Sequence, residues 1–376
     1  MELVCEGNEV TRLASQNALS REFCVEVSKD KTLFESGDWD RLLAQSHTQT
    51  PFLHSSWLQA WSKIYGTCNP ICFLSVLHCG ELVAATALYD YGSHIGFAGK
   101  TGADYGDVLV HTALTKPDVD CCLAYLFDEI EAMRGTSRVI LEKVPSGSVL
   151  MDYASDEYGY FLVPRDIFVT SGLSMSAADT RINKKSLKRH SNRLHRIGEV
   201  SFTTHTQSQH ILPLLDEFFD MHRRRWSKQG NSSIFSNEQS KQFYRALTKE
   251  LTKSGILYFS VLRLDQRMIA AHFGYVFSNH FFWYKPAFEI ELAKLSPGEV
   301  LLRELMLEMK SREIEYFDFT IGEEAFKARF ATAEDQVADL VLCSTRLGRD
   351  IAKTKYWLKQ KLSQMDAKGI KRRAVC

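Results

Sequence analysis

The sequence has no excess charge of either sign. Its 46 lysines and arginines balance 46 aspartates and glutamates. That excludes a protein that meets nucleic acid or a membrane through its overall charge, so any such bias must be local. No run approaches the roughly 20 apolar residues of a membrane span. The opening MELVCEGNEV carries acids and no apolar stretch of the length a secretion signal needs. Nine cysteines are scattered without a CxxC pair or a zinc-like CxxC plus HxxxH set, so neither a metal framework nor a redox dithiol is indicated. The expectation is a cytoplasmic protein with reduced thiols and no metal. There is also no short-period repeat.

Ordinary globular material fills the rest. Hydrophobic residues make up 45% and charged residues 24% of the 376 positions, and at roughly 150 residues per domain this length suggests two or three domains. The first half alternates strands and helices. FCVEVS has a strand's period of two, SSWLQAWSKIYG places Trp57, Leu58, Trp61 and Ile64 on one helical face, and ICFLSVLHCGELVAATALY reads as a hairpin. A polar stretch from Ser171 to Thr180 is the best linker, followed by the basic RINKKSLKRHSNRLHR. The second half then reads β-α-α-β-β-β-α-β-α-β, with tight turns at Asp265-Gln266 and Ser278-Asn279. Both halves share a helix–hairpin–helix–strand plan, which suggests duplication of one domain type. The boundaries expected are 1–175, a basic connecting helix at 176–198, a second domain at 199–347, and a basic helix or tail at 348–376.

The stretch YKPAFEIELAKLSPGEVLLRELM contains a well-formed helix start. Ser296 suits an N-cap, Pro297 the first helical position, and Glu299 completes a capping box. Leu301, Leu302, Leu305 and Met309 then form one apolar face.

A three-stranded meander leading to a capped helix and a further strand resembles the core of the GNAT acyltransferase fold. FLHSSWLQAWSKIYG, ADYGDVLV and WYKPAFEIELAKLSPGEVLLRELM…YFDFTIGEEAFKARF resemble the tandem GNAT proteins called CelD-like or FemAB-like, over roughly Phe23 to Leu347. The resemblance implies an α+β fold of two tandem GNAT-like domains, each a mostly antiparallel sheet flanked by helices. It implies an N-acyltransferase that moves an acyl group from acyl-CoA, for example acetyl-CoA, to an amine on a small polar or polysaccharide-precursor acceptor held in a cleft between the domains. GNAT enzymes hold the CoA pyrophosphate on backbone N–H groups at the start of this helix. That would make Ser296, Gly298 and Glu299 donor-site residues. The chain departs from the usual loop in having a single glycine there, with a carboxylate beside it.

Acyl transfer to an amine needs a base, a polarised carbonyl and a proton for the leaving thiolate. His272, in AAHFGY on the middle strand, is the candidate base; the alternative is a satisfied core histidine. His272 and Gly274 should share one sheet face, Phe273 and Tyr275 the other. Tyr284 can protonate a thiolate or simply pack, and Lys285 can pair with a phosphate or carboxylate or remain a solvated charge. Asp318, between two aromatics, needs either a cleft or a partner such as Lys327. Lys327 and Arg329 can face the donor's phosphates. Asp104, Tyr105 and Asp107, in the glycine-rich GKTGADYGD, can hold the acceptor amine or form Asx-capped turns.

The basic stretch at 181–196 and the basic tail remain. A solvated helix explains the first, a phosphate-bearing donor or lipid headgroup being the other reading. The tail's Tyr356 and Trp357 could rest on an anionic membrane surface. DNA binding is not indicated, and tRNA enters only through the alternative that the resemblance carries, a FemAB-type ligase with an aminoacyl-tRNA donor. A degenerate GNAT scaffold that binds without turnover is a further alternative.

Overall fold

Two dipeptides set the central sheet. Asp265-Gln266 and Ser278-Asn279 hold φ values of 48° and 69°, and of 47° and 61°, the paired left-handed geometry of two-residue hairpin turns. They join the strands Leu257–Leu264, Arg267–Phe277 and His280–Phe288 into the expected meander. The computed structural model describes residues 5–6, 9–13, 23–30, 32–155, 161–343, 345, 347–358 and 361. Residues 1–4 of the opening stretch and 362–376 of the basic tail lie outside the described residues.

The chain forms two compact units that are not its two successive halves. One holds the described residues up to Thr48, Asn69–Phe168 and those from Gln336 onward; the other holds Gln49–Cys68 and Val169–Asp335. In the first unit, Phe23–Ser28, Cys72–His78, Glu81–Asp90 and Ile95–Phe97 pair antiparallel in chain order. The helix Lys116–Arg134 buries Leu123, Leu126 and Phe127 in this unit's core. Ile140–Pro145 pairs with Ala333–Cys343 through Val337–Val341. A helix at Val149–Ser155, which the sequence pattern did not announce, buries Leu150 and Tyr153.

The second unit carries strands β1 (Phe161–Ser174), whose last residues belong to it, β2 (Val200–His205), β3 (Leu257–Leu264), β4 (Arg267–Phe277), β5 (His280–Phe288) and β6 (Tyr316–Ile321). Their order is β2-β3-β4-β5-β6-β1. All neighbours are antiparallel except β5 and β6, which run parallel. The helices are α1 (Ser55–Ile64), α2 (Lys185–His195), α3 (Leu215–Lys228), α4 (Glu238–Leu251), α5 (Pro297–Ser311) and α6 (Ala325–Phe330). Helix α5 covers one sheet face and buries Leu301, Leu305 and Met309 against Phe281, Trp283, Phe317 and Phe319. The other face carries an aromatic cluster, in which Phe52 and Trp57 from the α1 region meet Tyr275, Tyr284 and Phe243 edge-on. Such edge-to-face pairs add about 0.5–1.5 kcal/mol each beyond area burial.

Two expectations about the connecting region change. Ser171–Ser174 are not linker but the end of β1, because Gly172 and Leu173 pair with Asp318 and Phe317 and Leu173 is wholly buried. Serine content alone does not keep a strand out of a sheet when its backbone groups find partners. The basic helix α2 does pack, through Leu187 and Leu194, whereas Ile197, expected on its apolar stripe, lies past the helix end and is 53% exposed. Among the described residues no helix is long and apolar enough to cross a membrane.

Candidate functional site

Helix α5 starts as the sequence predicts but is not capped as it predicts. Ser296 adopts φ 55°, ψ 48°, and its hydroxyl makes no cap bond. A 3₁₀ turn, Ile290–Leu295, runs into the helix through this left-handed residue. The Ser296 carbonyl accepts the N–H groups of Glu299 and Val300 at 3.1 and 3.2 Å, and the Ser296 N–H donates to Ala293. Pro297 has no N–H. Gly298 therefore presents the one first-turn N–H without an acceptor among the described residues. Nor does Glu299 close a capping box: its carboxylate accepts from the Arg329 guanidinium and lies 3.3 Å from His190 Nδ1. A charge-assisted bond outweighs the reach back to a backbone amide.

A cavity of about 230 Å³ opens at this helix start. Its lining includes Ser296, Gly298 and Glu299 of the helix start, Trp283, Pro286 and Phe288 of β5, and Arg225 of α3. Arg225 donates to the Pro286 carbonyl at 2.8 Å, and its guanidinium sits 4.8 Å over the Phe288 ring. Its Nε is buried without a partner. Burial pulls its pKa down, yet an arginine stays charged. The cavity lining thus includes Gly298, whose N–H lacks an acceptor at a positive helix end, and Arg225, whose Nε lacks a partner. Sequence reading missed Arg225. The signal was present: Phe218, Met221, His222 and Arg225 lie at helical spacing on the buried side of α3, and a cation in that series wants an explanation.

The β5 strand changes hand at this cavity. Tyr275 faces Phe282 and Phe273 faces Lys285, so Trp283 and Tyr284 together oppose Gly274. This β-bulge frees the Tyr284 N–H from the ladder. The orphaned N–H donates instead to His272 Nε2 at 2.9 Å. The His272 ring stacks on Trp283 at 4.2 Å and 10°. A Cβ on Gly274 would sit 2.0 Å from His272 Cε1, so only glycine leaves room for the ring. His272 is fully buried, and burial holds it well below the usual imidazole range, hence neutral.

The bulge also turns Tyr284 and Lys285 to the same side. Lys285 Nζ lies 3.6 Å over the Tyr284 ring, and the Tyr284 hydroxyl accepts from Tyr244 at 2.9 Å. Tyr284 belongs to the aromatic cluster opposite α5.

Strands β5 and β6 pair only through Phe282 and Asp318, then part. Asp318 accepts the Thr320 N–H at 2.6 Å, which pins Thr320 at φ 57°, a value a β-branched residue rarely tolerates. The Thr320 hydroxyl donates to the Trp283 carbonyl at 3.4 Å. Lys327 is buried; its ammonium donates to the Ile321 carbonyl at 2.8 Å and pairs with Glu324 at 2.9 Å. By alternation with Phe317 and Phe319, Asp318 shares the Tyr284 face. The three candidate catalytic side chains are thus divided, His272 on the α5 side and Tyr284 and Asp318 on the other.

In the first unit, the glycine-rich loop satisfies much of its own polarity. Asp104 lies 3.8 Å from Lys143 Nζ. Asp107 is buried, accepts from Thr48, from Ser148 at 2.7 Å and from the Val108 N–H at 2.8 Å, and burial pushes its carboxyl up to about 6. Tyr105 stands between them, half-buried. Among the described residues no cluster of His, Cys, Asp or Glu could hold a metal ion.

Residues 181–328 match the GNAT acetyltransferase domain. No curated protein sequence matches the chain. Solved structures share its fold. A conserved protein of unknown function from Bacteroides thetaiotaomicron aligns at TM-score 0.59 and 14% identity over 82% of this chain and 97% of its own. FemX aligns at 0.59 and 8% identity over 85% and 98%. L-PGS from Bacillus licheniformis aligns at 0.55 and 11% identity over 87% and 97%. At these identities the likeness is one of fold.

Proposed function

We propose that the second unit is an N-acyltransferase whose donor is an acyl-CoA, its phosphates held at the start of α5. One observation carries this reading: one cavity is lined both by Gly298, whose N–H has no acceptor among the described residues, and by Arg225, whose Nε is buried without a partner. That combination suits an anion, and a helix start adds its dipole. The apolar floor of Trp283, Pro286 and Phe288 suits an uncharged stretch of donor next to the phosphates. Glu299 does not oppose the anion with a free charge, because Arg329 neutralises it. The acceptor proposed is an amine on a small polar or polysaccharide-precursor molecule, the class that the CelD-like resemblance implies. Calorimetric titration of the full chain with free CoA and acetyl-CoA tests the donor, and CoA release with an amine panel tests turnover.

An aminoacyl-tRNA donor is the second reading, and α2 favours it. Lys185, Lys188, Arg189 and Arg196 are exposed and have no acidic partner among the described residues, a local excess suited to a phosphodiester backbone. A gel shift with charged tRNA separates the two. Binding of neither donor would leave a scaffold that binds without turnover.

A further inference from the structure

We propose that His272 is a positioning residue, which holds the Trp283–Tyr284 peptide out of the strand ladder and so fixes the floor of the cavity, and is not the base of the reaction. Two side chains grip this one peptide unit from opposite ends. Its N–H is accepted by His272 Nε2 at 2.9 Å. Its carbonyl is reached by the Thr320 hydroxyl at 3.4 Å, and Thr320 is set in its left-handed conformation by Asp318. Neither end of the peptide has a strand partner at this point, because β4 is one residue short across the bulge and β6 has already parted from β5. The indole between them lines the cavity on one side and is stacked by the imidazole on the other.

The same hydrogen bond removes His272 from proton transfer. A nitrogen that accepts a backbone N–H has its lone pair occupied, so the ring's proton sits on Nδ1. Nδ1 is buried and has no hydrogen-bond partner. The ring packs against Trp283, Phe281 and the bare Gly274 backbone, and the buried hydroxyl of Ser260, which opposes His272 in the ladder, makes no hydrogen bond to it. Asp318 acquires its place in the same device: it acts on Trp283 through Thr320.

The inference depends on the donor-site reading only for its binding arm. The structural arm is imidazole nitrogen NMR on the intact, labelled chain. The expected spectrum for His272 is an Nδ1–H tautomer with an unprotonated, hydrogen-bonded Nε2 and no titration between about pH 5 and 8. An Nε2–H tautomer, or a titration near neutrality, overturns the proposal. The binding arm compares His272→Ala with His272→Gln, whose carbonyl can still accept the Tyr284 N–H. With free CoA as probe, His272→Ala is expected to weaken binding about tenfold or more by leaving a buried donor unpaired, and His272→Gln to restore it to within about threefold. CoA affinity unchanged in His272→Ala, or lost equally in both variants while both still fold, contradicts positioning. If the wild-type chain binds no CoA, the donor reading fails and the imidazole spectrum alone decides; if His272→Ala does not fold, the spectrum and His272→Gln decide.

Discussion

His272 Nε2 lies 2.9 Å from the backbone nitrogen of Tyr284, and that bond joins two residues whose side chains point to opposite faces of one sheet. It is the strut of a bulge that sets Trp283 in the wall of the cavity at the start of α5. The residues proposed to hold the donor's phosphates beside it give the first predictions.

Gly298→Ala should separate stability from binding. A Cβ there would meet Phe288 Cδ1 at 3.1 Å, narrowing the cavity beside the open N–H. Alanine is otherwise the better helix former by up to about 1 kcal/mol. Affinity for CoA is expected to fall about tenfold, the worth of one hydrogen bond to a charged group, while the melting temperature holds or rises.

Arg225→Met keeps the apolar stem and removes the charge. CoA binding should weaken by about tenfold or more. The remaining affinity should also respond less to salt than that of the wild type, since a phosphate contact has gone. Titrations at low and high salt check both.

Asp107→Asn should change how stability depends on pH. Burial pushes the folded carboxyl up to about 6, above the roughly 3.9 of a free aspartate. Between these values the folded state holds the proton more tightly than the unfolded chain, so this group's contribution falls as pH rises and is lost by neutrality. The loss is of order 3 kcal/mol. Buried His222, lowered to about 3, acts in the opposite direction over the same window. The difference between wild type and Asp107→Asn, measured by urea unfolding from pH 4 to 7, isolates the carboxyl: the variant's relative stability should grow with pH.

Residues 49–68 belong to the second unit, so a fragment starting at Val169 should not fold alone. Within the full chain, Trp57→Ala should cost about 3–5 kcal/mol, because Trp57 is fully buried and its removal opens the aromatic cluster. Circular dichroism of the fragment with and without a 49–68 peptide tests the first statement, and denaturant unfolding the second.

Much of this architecture was legible in the sequence, and the reasons are local. Asp265-Gln266 and Ser278-Asn279 are turn chemistry, and Leu301, Leu305 and Met309 are helical periodicity, so the meander and α5 follow from spacing alone. The match of 181–328 to the GNAT domain agrees with the resemblance carried by YK…SPG…DF..G. What spacing does not encode is register. The bulge opposite Gly274 depends on how β5 lies against β4, and the parting of β5 from β6 depends on Thr320 turning left-handed after Asp318. Nor does spacing say that α1 belongs with a segment that begins more than a hundred residues later, at Val169. Ser296 and Glu299 made a persuasive cap on paper, because serine and glutamate suit those positions. The left-handed entry and the proximity of Arg329, both tertiary facts, overrode it.

The most direct test of the donor site is thermal unfolding of the intact chain with free CoA and, separately, with pantetheine, which lacks the phosphates. The account predicts that CoA at a hundred times its dissociation constant adds about 2.7 kcal/mol of stability, a shift of a few degrees at this size, and that pantetheine at the same concentration adds far less. Equal shifts with both would contradict a phosphate-binding helix start, and no shift with either would contradict a CoA site altogether.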